Sequence, residues 1–409
     1  MAALGEETNE LPCELSIVTA YRQNRFERWQ KSFKVDTMFN MMLEQDRRDF
    51  LKSLIAGAAV TYGTAMAKPN DKIGLPGPYP GRVIAVEHSG SIIDGKFQRP
   101  AIHSMMNRGM MDLTGAPSPQ EAWGTFFEPG DVVGIKLNPV GRPDVISSPE
   151  TVNEIIDGLK MAGVPLKNII AYDRYKTEFL DAGFDKWLPQ GVRYTWGTDK
   201  THPLQLDMDM YDENEYVEMP LVLPEADPKN PHHRRSYLAK FITKDVNKLI
   251  NLCLVKHHQS AGVTVALKNL SHGLVNNVSR SHATITLNTC GTFIPNIVDH
   301  PIIRKKAVLN ICDGILAAYH GGPGRTVTHY KWENKTMYFA TDPVALDKTA
   351  WKVIDAQRAA VGRLPIATAK PDKDSRWVNM QVEHIEIAGA LGLGVYDDKK
   401  IDVRAVKLA

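Results

Sequence analysis

Residues 246–272 read VNKLINLCLVKHHQSAGVTVALKNLSH, and their pattern is the clearest indication of the fold class of this chain. Its first ten residues are mostly apolar and lack Gly and Pro, which is typical of a buried strand. A turn over Ser260 to Gly262 follows, and a helix is predicted to begin near Thr264. A buried strand that leads through a tight turn into a helix is the repeating unit of an α/β fold.

The same unit occurs upstream. Residues 132–138 predict a strand, and residues 148–163 predict a helix with Ser148 as its N-cap and Pro149 at its first position. Residues 167–173 predict the next strand, so these three elements form a parallel crossover. We therefore predict an α/β fold with a mostly parallel sheet, flanking helices and a single large domain.

Further elements extend this pattern in both directions. Strands are predicted at 82–87, 307–312 and 401–406, and helices at 98–111 and 343–360. Between residues 202 and 237 the pattern stops, and acidic residues and prolines precede a basic cluster at 232–235. We interpret this segment as a polar insertion or hairpin at an edge of the sheet. Calcium binding is disfavoured because the carboxylates lack EF-hand spacing.

Histidines are concentrated in one part of the chain: of the 13 histidines, seven fall between residues 257 and 329. The predicted strand brings His257 and His258 to its carboxyl end, and the helix after it carries Lys268 and Asn269. Open α/β sheets bind ligands at such strand ends, where helix N-termini attract anions. We predict a site for a small ligand that is anionic or metal-bound. The alternative is that individual histidines cap helices or pack in the core.

Other polar residues are expected at the same edge. Asp313 follows the apolar run 308–312 at a strand end. Lys136 and Asn138 end one strand of the other half, and Asp173 and Arg174 end the next. Because the carboxyl ends of parallel strands share one edge, these side chains can reach the same crevice.

Two further segments carry polar residues that could join it. Asp342 is interpreted mainly as the N-cap of the predicted helix 343–360, with Asp347 about a turn further on. The segment 321–325, GGPGR, can bring backbone close to a phosphate or carboxylate, with Arg325 as a bidentate partner. No helix signal follows it, so it is weak evidence for a nucleotide site.

The side-chain chemistry assigns roles to these residues. Lys268 is the electrostatic or acid–base group, the two adjacent histidines are ligands or proton carriers, and Asp313 is an orienting or metal-binding carboxylate. The predicted catalytic set is Lys268, His257, His258 and Asp313; the ligand-binding set is Lys136, Asn138, Asn269 and Arg325; the metal set is His257, His258 and Asp313. The cofactor stays open, with a divalent metal as one candidate.

Composition disfavours several classes of protein. A net charge of +2 gives no electrostatic case for binding nucleic acid or a membrane surface. No apolar run of about 18 residues follows residue 67, so we expect no membrane span there. Cys253, Cys290 and Cys312 include no Cys-x-x-Cys pair, which argues against an iron–sulfur or zinc cluster. Dinucleotide, Walker, zinc-protease and serine-hydrolase motifs are also absent.

The N-terminal region resembles a twin-arginine export signal. Residues 46–52 read DRRDFLK, and the uncharged, weakly apolar stretch 53–67 ends in Ala65-Met-Ala67, a small-x-small cleavage site. We therefore predict an upstream extension at 1–40, a signal peptide at 41–67, a linker at 68–81 and the domain at 82–409; a long n-region is the alternative to the extension. The twin-arginine translocase is the expected transport partner, and the location is periplasmic or secreted.

Several blocks together resemble the DUF362 family, whose function was not established when it was defined. The blocks are 133–138 (VGIKLN), 255–258 (VKHH), 262–269 (GVTVALKN), 313–315 (DGI), 322–323 (GP) and 340–347 (ATDPVALD). The resemblance covers about residues 82–409 and implies one α/β domain with a site at these motifs, but no reaction. Some relatives append ferredoxin-like cysteine motifs; this chain has none, so an iron–sulfur role does not follow.

Two functional hypotheses result. The first is an exported enzyme that binds a metal or a small anionic molecule in a crevice of His, Lys and Asp side chains. The second is a non-catalytic periplasmic protein that holds a cofactor or ligand for a partner redox enzyme. Loss of turnover on one substitution would indicate the first, and tight binding without turnover the second.

Replacing both Arg47 and Arg48 with lysine should leave the protein in the cytoplasm at precursor length, because the translocase recognises the paired guanidinium groups. Cell fractionation followed by immunoblotting measures this, with Arg82→Lys as a control that should be exported normally. Undiminished export of the double variant would contradict the signal-peptide prediction.

Overall fold

The computed structural model describes residues 61–62, 73–200 and 202–409 of the 409-residue chain. The predicted extension at 1–40 and the signal peptide lie outside the described residues, except for Thr61–Tyr62. The strands are β1 (Thr61–Tyr62), β2 (Arg82–His88), β3 (Ile92–Ile93), β4 (Lys96–Phe97), β5 (Val133–Lys136), β6 (Ile169–Tyr175), β7 (Arg193–Thr198), β8 (Tyr211–Glu218), β9 (Arg235–Ala239), β10 (Lys248–His258), β11 (Gly262–Thr264), β12 (Ala307–Ala318), β13 (Lys331–Ala340) and β14 (Asp402–Leu408). The α-helices are α1 (Arg99–Thr114), α2 (Pro119–Gly124), α3 (Pro149–Met161), α4 (Lys176–Asp181), α5 (Phe184–Trp187), α6 (Pro231–Arg234), α7 (Ala266–Leu274), α8 (Cys290–Val298), α9 (Pro301–Lys306), α10 (Pro343–Ala360) and α11 (His384–Ala390).

A nine-stranded sheet forms the centre of the fold. Its strands run in the order β14-β2-β13-β12-β10-β5-β6-β7, and β11 pairs with β10 outside this path. Neighbours along the path are parallel except where β13 lies between β2 and β12. The predicted α/β fold with a mostly parallel sheet is therefore confirmed. After β5, the strands β6 and β7 are placed one after another toward one edge of the sheet. After β10, the next strand of the path, β12, is placed toward the other edge. The direction in which successive strands are added therefore reverses between β5 and β10.

Helices cover both faces of the sheet, and each face has its own apolar core. On one face, Leu249 and Cys253 of β10 pack with α7, α8 and α10. On the other, Ile250 and Leu252 pack with α1, α2 and α3. Adjacent residues of β10 thus belong to different cores, as the alternation of side chains along a strand requires.

Two parts of the chain depart from a simple α/β pattern. The predicted insertion contains β8 and β9, which pair antiparallel in a separate small sheet that also includes β1. Residues 73–81 of the predicted linker are packed against the domain: Leu75 is buried and donates its N–H to the carbonyl of Arg304 at 2.7 Å. Within the described residues, no helix has the length and apolarity needed to cross a membrane.

Asp342 joins three segments at the start of α10. Its Oδ1 accepts hydrogen bonds from the backbone N–H groups of Val344 and Ala345, both at 2.9 Å. Its Oδ2 accepts from the N–H of Gly81 at 2.9 Å and of Val395 at 2.8 Å. The predicted capping role is confirmed, and the same carboxylate fixes two distant chain segments.

Replacing Asp342 with alanine should lower the free energy of unfolding by about 3 kcal/mol, because it removes a helix cap and leaves buried N–H groups without acceptors. Urea unfolding followed by circular dichroism measures the change. Asp398→Ala is the matched control: Asp398 is exposed, and within the part of the chain that the structure describes its ion pair is with the similarly exposed Lys352, at 2.8 Å, so its loss should cost at most about 1 kcal/mol. Equal shifts in the two variants would contradict this assignment.

Candidate functional site

A cavity of about 230 Å³ lies at the carboxyl ends of β5, β6 and β10, beside α7. This is the point where the strand order reverses, and open α/β sheets bind ligands at such points. The charged and imidazole side chains that line it are Lys136, Asp173, Arg174, Glu178, Lys256, His258, Lys268, His272 and His282. Four cationic side chains thus face two carboxylates.

Lys136 is fixed by its neighbours at the end of β5. Its ammonium donates to Asp173 Oδ1 at 2.5 Å, to Asn269 Oδ1 at 3.3 Å and to the carbonyl of Leu137. Both members of the ion pair are about 95% buried or more. Three acceptors satisfy the ammonium, so Lys136 is a positioned charge with no free hydrogen-bonding capacity.

Lys256 at the end of β10 is also held in place. It is fully buried, and its ammonium donates to Asn138 Oδ1 at 3.1 Å and to the carbonyl of Val140. Burial, together with the positive charge of Lys268, lowers the pKa of Lys256 to about 7. The carboxylates of Asp173 and Glu178 oppose this shift but do not cancel it.

Lys268 differs from the other two lysines. It lies in the first turn of α7 and is 9% exposed. No hydrogen bond joins its ammonium to another residue of the described chain. Burial is the main reason why the pKa of Lys268 is lowered to about 8. Its free donors face the cavity, so Lys268 is the side chain best placed to contact a bound ligand.

Three histidines complete the wall. Nδ1 of His258 accepts hydrogen bonds from the N–H of Ser260 at 3.1 Å and of Ala261 at 3.2 Å. The neutral ring therefore carries its proton on Nε2. This Nε2 is buried and has no hydrogen-bond partner among the described residues. Burial, and next the charge of Lys268, lowers the pKa of His258 and of His272 well below the ordinary value and that of His282 to about 3. The three rings are therefore neutral near pH 7.

Helix α7 is capped from another element. Its own N-cap residue, Val265, offers no side-chain acceptor. Asp347 of α10 accepts from the N–H of Ala266 at 2.6 Å and of Leu267 at 3.2 Å. This carboxylate lies at the positive end of the helix, so it occupies the place where an anion would otherwise bind. An anionic ligand must therefore be held by the side chains of α7 instead of its N-terminus.

Comparison of the sequence with models of protein families identifies a match. The model of the domain of unknown function DUF362 matches residues 133–352, more than half of the chain. The chain belongs to the DUF362 family. The match is shorter than the expected resemblance over 82–409, but it includes β5, β10, α7 and the start of α10.

Other comparisons add little to this. No curated protein matches the sequence. Among solved structures, the chain is similar to a Thermotoga maritima protein whose crystal structure comes from a structural genomics consortium, with 10% identity and a TM-score of 0.35. That alignment covers 66% of this chain and 60% of the other.

Three residues of the predicted site in this DUF362 protein lie elsewhere. Asp313 faces α3, where its Oδ2 accepts from the N–H of Ser148 at 3.2 Å and its hydroxyl at 2.6 Å. It therefore lies on the sheet face opposite α7. His257 points to Gly322, whose N–H lies 3.3 Å from its Nδ1, and Arg325 is exposed outside the cavity.

The predicted grouping of His257 or His258, Lys268 and Asp313 in one pocket is therefore wrong for Asp313, whereas His258, the second of the two alternatives, lies in the cavity with Lys268. The structure does not bring the predicted metal set together: His257 and His258 are adjacent in β10 and point to opposite faces, and Asp313 of β12 is held by Ser148 at the start of α3. Lys136, Asn138, His258, Lys268 and Asn269 do line the common cavity.

The predicted site residues omit two histidines of this wall, His272 and His282, and also Cys290, which lies near both. Each histidine follows a serine, at 271 and 281, and His272 stands four residues after Lys268. Residues four apart share a helix face, so this spacing could have placed His272 beside Lys268. Cys290 gave no such signal, because it lacks a second cysteine nearby.

Gly273 permits α7 to approach β5. A Cβ atom at this position would lie 2.0 Å from Cε of Lys136. Gly273→Ala should therefore lower the free energy of unfolding by about 1–3 kcal/mol through overpacking. Gly124→Ala is the matched control at the end of α2, where an added Cβ meets nothing within 4 Å, and should be neutral or slightly stabilising. Urea unfolding of both variants tests this, and indistinguishable midpoints would refute it.

Proposed function

We propose that this protein is an enzyme that binds a small anionic molecule in the cavity at the ends of β5, β6 and β10. The observation that supports this most directly is the ammonium of Lys268, which has no hydrogen-bond partner among the described residues. Burial of a charged group without a partner is costly, and a bound anion would supply the missing acceptors. Lys268 is proposed as the direct contact to the anion and His258, through its Nε2–H, as a second donor.

The charges around the cavity favour an anion over a cation. Lys136 is balanced by Asp173 at 2.5 Å, and Glu178 forms an ion pair with Arg142 at 3.4 Å. Neither carboxylate forms an ion pair with Lys256 or Lys268 within the described chain. The cavity therefore keeps an excess of positive charge that a carboxylate or phosphate group would neutralise.

The size of the cavity limits the ligand. Its volume of about 230 Å³ lies below the range of roughly 300–1,000 Å³ for pockets that hold drug-sized molecules. We infer a compact oxyanion or a short carboxylic acid. A divalent metal remains a candidate cofactor, but through residues other than the set predicted from sequence.

A non-catalytic role is the second hypothesis. A protein that only holds a ligand for a partner enzyme would bind the same anion and return it chemically unchanged. We retain periplasmic or secreted location through the twin-arginine translocase as a further proposal, which is supported by residues 46–67 of the sequence alone.

Lys268→Ala should weaken binding of a small anion by about 10- to 100-fold, because a charge-assisted hydrogen bond is lost. Isothermal titration calorimetry with inorganic phosphate, and separately with malonate, on EDTA-treated protein measures this. Lys352→Ala on α10 is the control, since Lys352 is exposed and pairs with Asp398 on the surface. Equal affinities of the two variants for both anions, or no binding by the wild-type chain, would overturn the proposal.

A further inference from the structure

Three potential metal ligands meet beside the cavity: two of them line it, and the three come from three elements. His272 lies in α7, His282 ends the 3-10 turn Ser279–His282, and Cys290 is the first residue of α8. One ligand atom from each lies within 4.8 Å of those of the other two. Three separate segments have to fold together to create this arrangement, so it does not follow from local chain geometry.

We propose that His272, His282 and Cys290 bind a zinc-type divalent cation at this wall. Two imidazoles and one thiolate are a borderline-soft donor set that suits zinc or cobalt. Three protein ligands leave a fourth position of a tetrahedral ion open, which is the arrangement of catalytic zinc sites. Because His272 and His282 also line the cavity, the open position faces the space proposed for the anion.

Hydroxyl groups around the three ligands support this assignment. Ser271 Oγ lies 3.0 Å from Nδ1 of His272, and Ser281 Oγ lies 2.7 Å from Nδ1 of His282. With Nδ1 of each ring held by a hydroxyl, Nε2 of each is the nitrogen that would take the cation, and the serines would act as outer partners do in metal sites. Ser281 Oγ also lies 3.0 Å from Nε2 of His272, and a cation on that nitrogen would replace this contact.

The sulfur of Cys290 is similarly placed among hydroxyls. Its Sγ lies 3.6 Å from Ser260 Oγ and 3.8 Å from Ser281 Oγ. Cys253 and Cys312 lie instead within strands of the central sheet, where apolar side chains surround them. Cys290 is therefore the cysteine of the described chain that can reach two imidazoles.

The positive charge of Lys268 would repel a cation bound at this site, so the site needs compensating negative charge. The thiolate of Cys290 would offset part of this repulsion. An anion between the metal and Lys268 would offset the rest. This step rests on the proposed function: the metal would polarise an oxygen of the bound anion while Lys268 neutralises its charge.

Cobalt provides a direct test on the full-length protein after removal of metals with EDTA. Wild-type protein should bind about one Co²⁺ and show a thiolate-to-cobalt charge-transfer band in the near ultraviolet. Cys290→Ser should lose that band, and His272→Ala and His282→Ala should each weaken Co²⁺ binding by at least about 10-fold. Cys312→Ala, which removes a buried cysteine outside the site, should keep both the band and the affinity.

The cobalt spectrum of the wild-type protein tests the metal site even if one of the variants fails to fold. Circular dichroism and urea midpoints identify any variant that is unfolded, and its result is then set aside in favour of that spectrum. Saturable Co²⁺ binding without the band, no binding, or an unchanged band in folded Cys290→Ser would overturn the metal site. Phosphate and malonate binding are measured without metal, so failure of the metal site and failure of the proposed anion site give different results.

Discussion

A continuous series of buried amide hydrogen bonds holds helix α7 over the sheet. Asn138 Nδ2 donates to Asn269 Oδ1 at 3.2 Å, and Asn269 Nδ2 donates to Asn251 Oδ1 at 2.8 Å. Asn251 Nδ2 donates to Asn310 Oδ1 at 2.9 Å, and Asn310 Nδ2 donates to the carbonyl of Thr341 at 3.0 Å. Buried amides are costly unless all their groups are paired. The series therefore permits one register between β5, β10, β12 and α7, and the cavity forms in that register.

The orientation of α7 determines which of its residues enter the cavity. With Asn269 directed into the sheet, Lys268 and His272 lie one turn apart on the side that faces the cavity. Gly273 then lies against Lys136, where no larger residue fits without movement. The packing of Asn269 and Gly273 thus fixes α7 in the orientation that brings Lys268 and His272, the side chains proposed to contact a ligand or metal, to the cavity.

Sequence patterns predicted the parallel elements well and the others poorly. Helix α10 begins at Pro343 and ends at Ala360 as predicted, because Asp342 and Pro343 form a strong start signal. Strand β13 was missed because its first half is polar and half-exposed, so no continuous apolar run marks it. Helix α8 was missed because Pro295 lies inside it, and proline normally argues against a helix interior. Tertiary packing decides both cases, and a sequence pattern cannot show it.

The same reasoning explains which site residues could be predicted. A strand places alternate residues on opposite faces, so the sequence alone groups Lys256 with His258 and separates His257 from both. The sequence does not distinguish the structural role of Asp313 from the proposed ligand-binding role of Lys268, because both are buried charged residues near strand ends. Their partners distinguish them: Asp313 accepts three hydrogen bonds from the chain around it, whereas the described residues leave the donors of Lys268 unsatisfied. The hydrogen bonds of Asp313 therefore hold the fold together, whereas the donors that the described residues leave unsatisfied on Lys268 are the basis of the proposed ligand site.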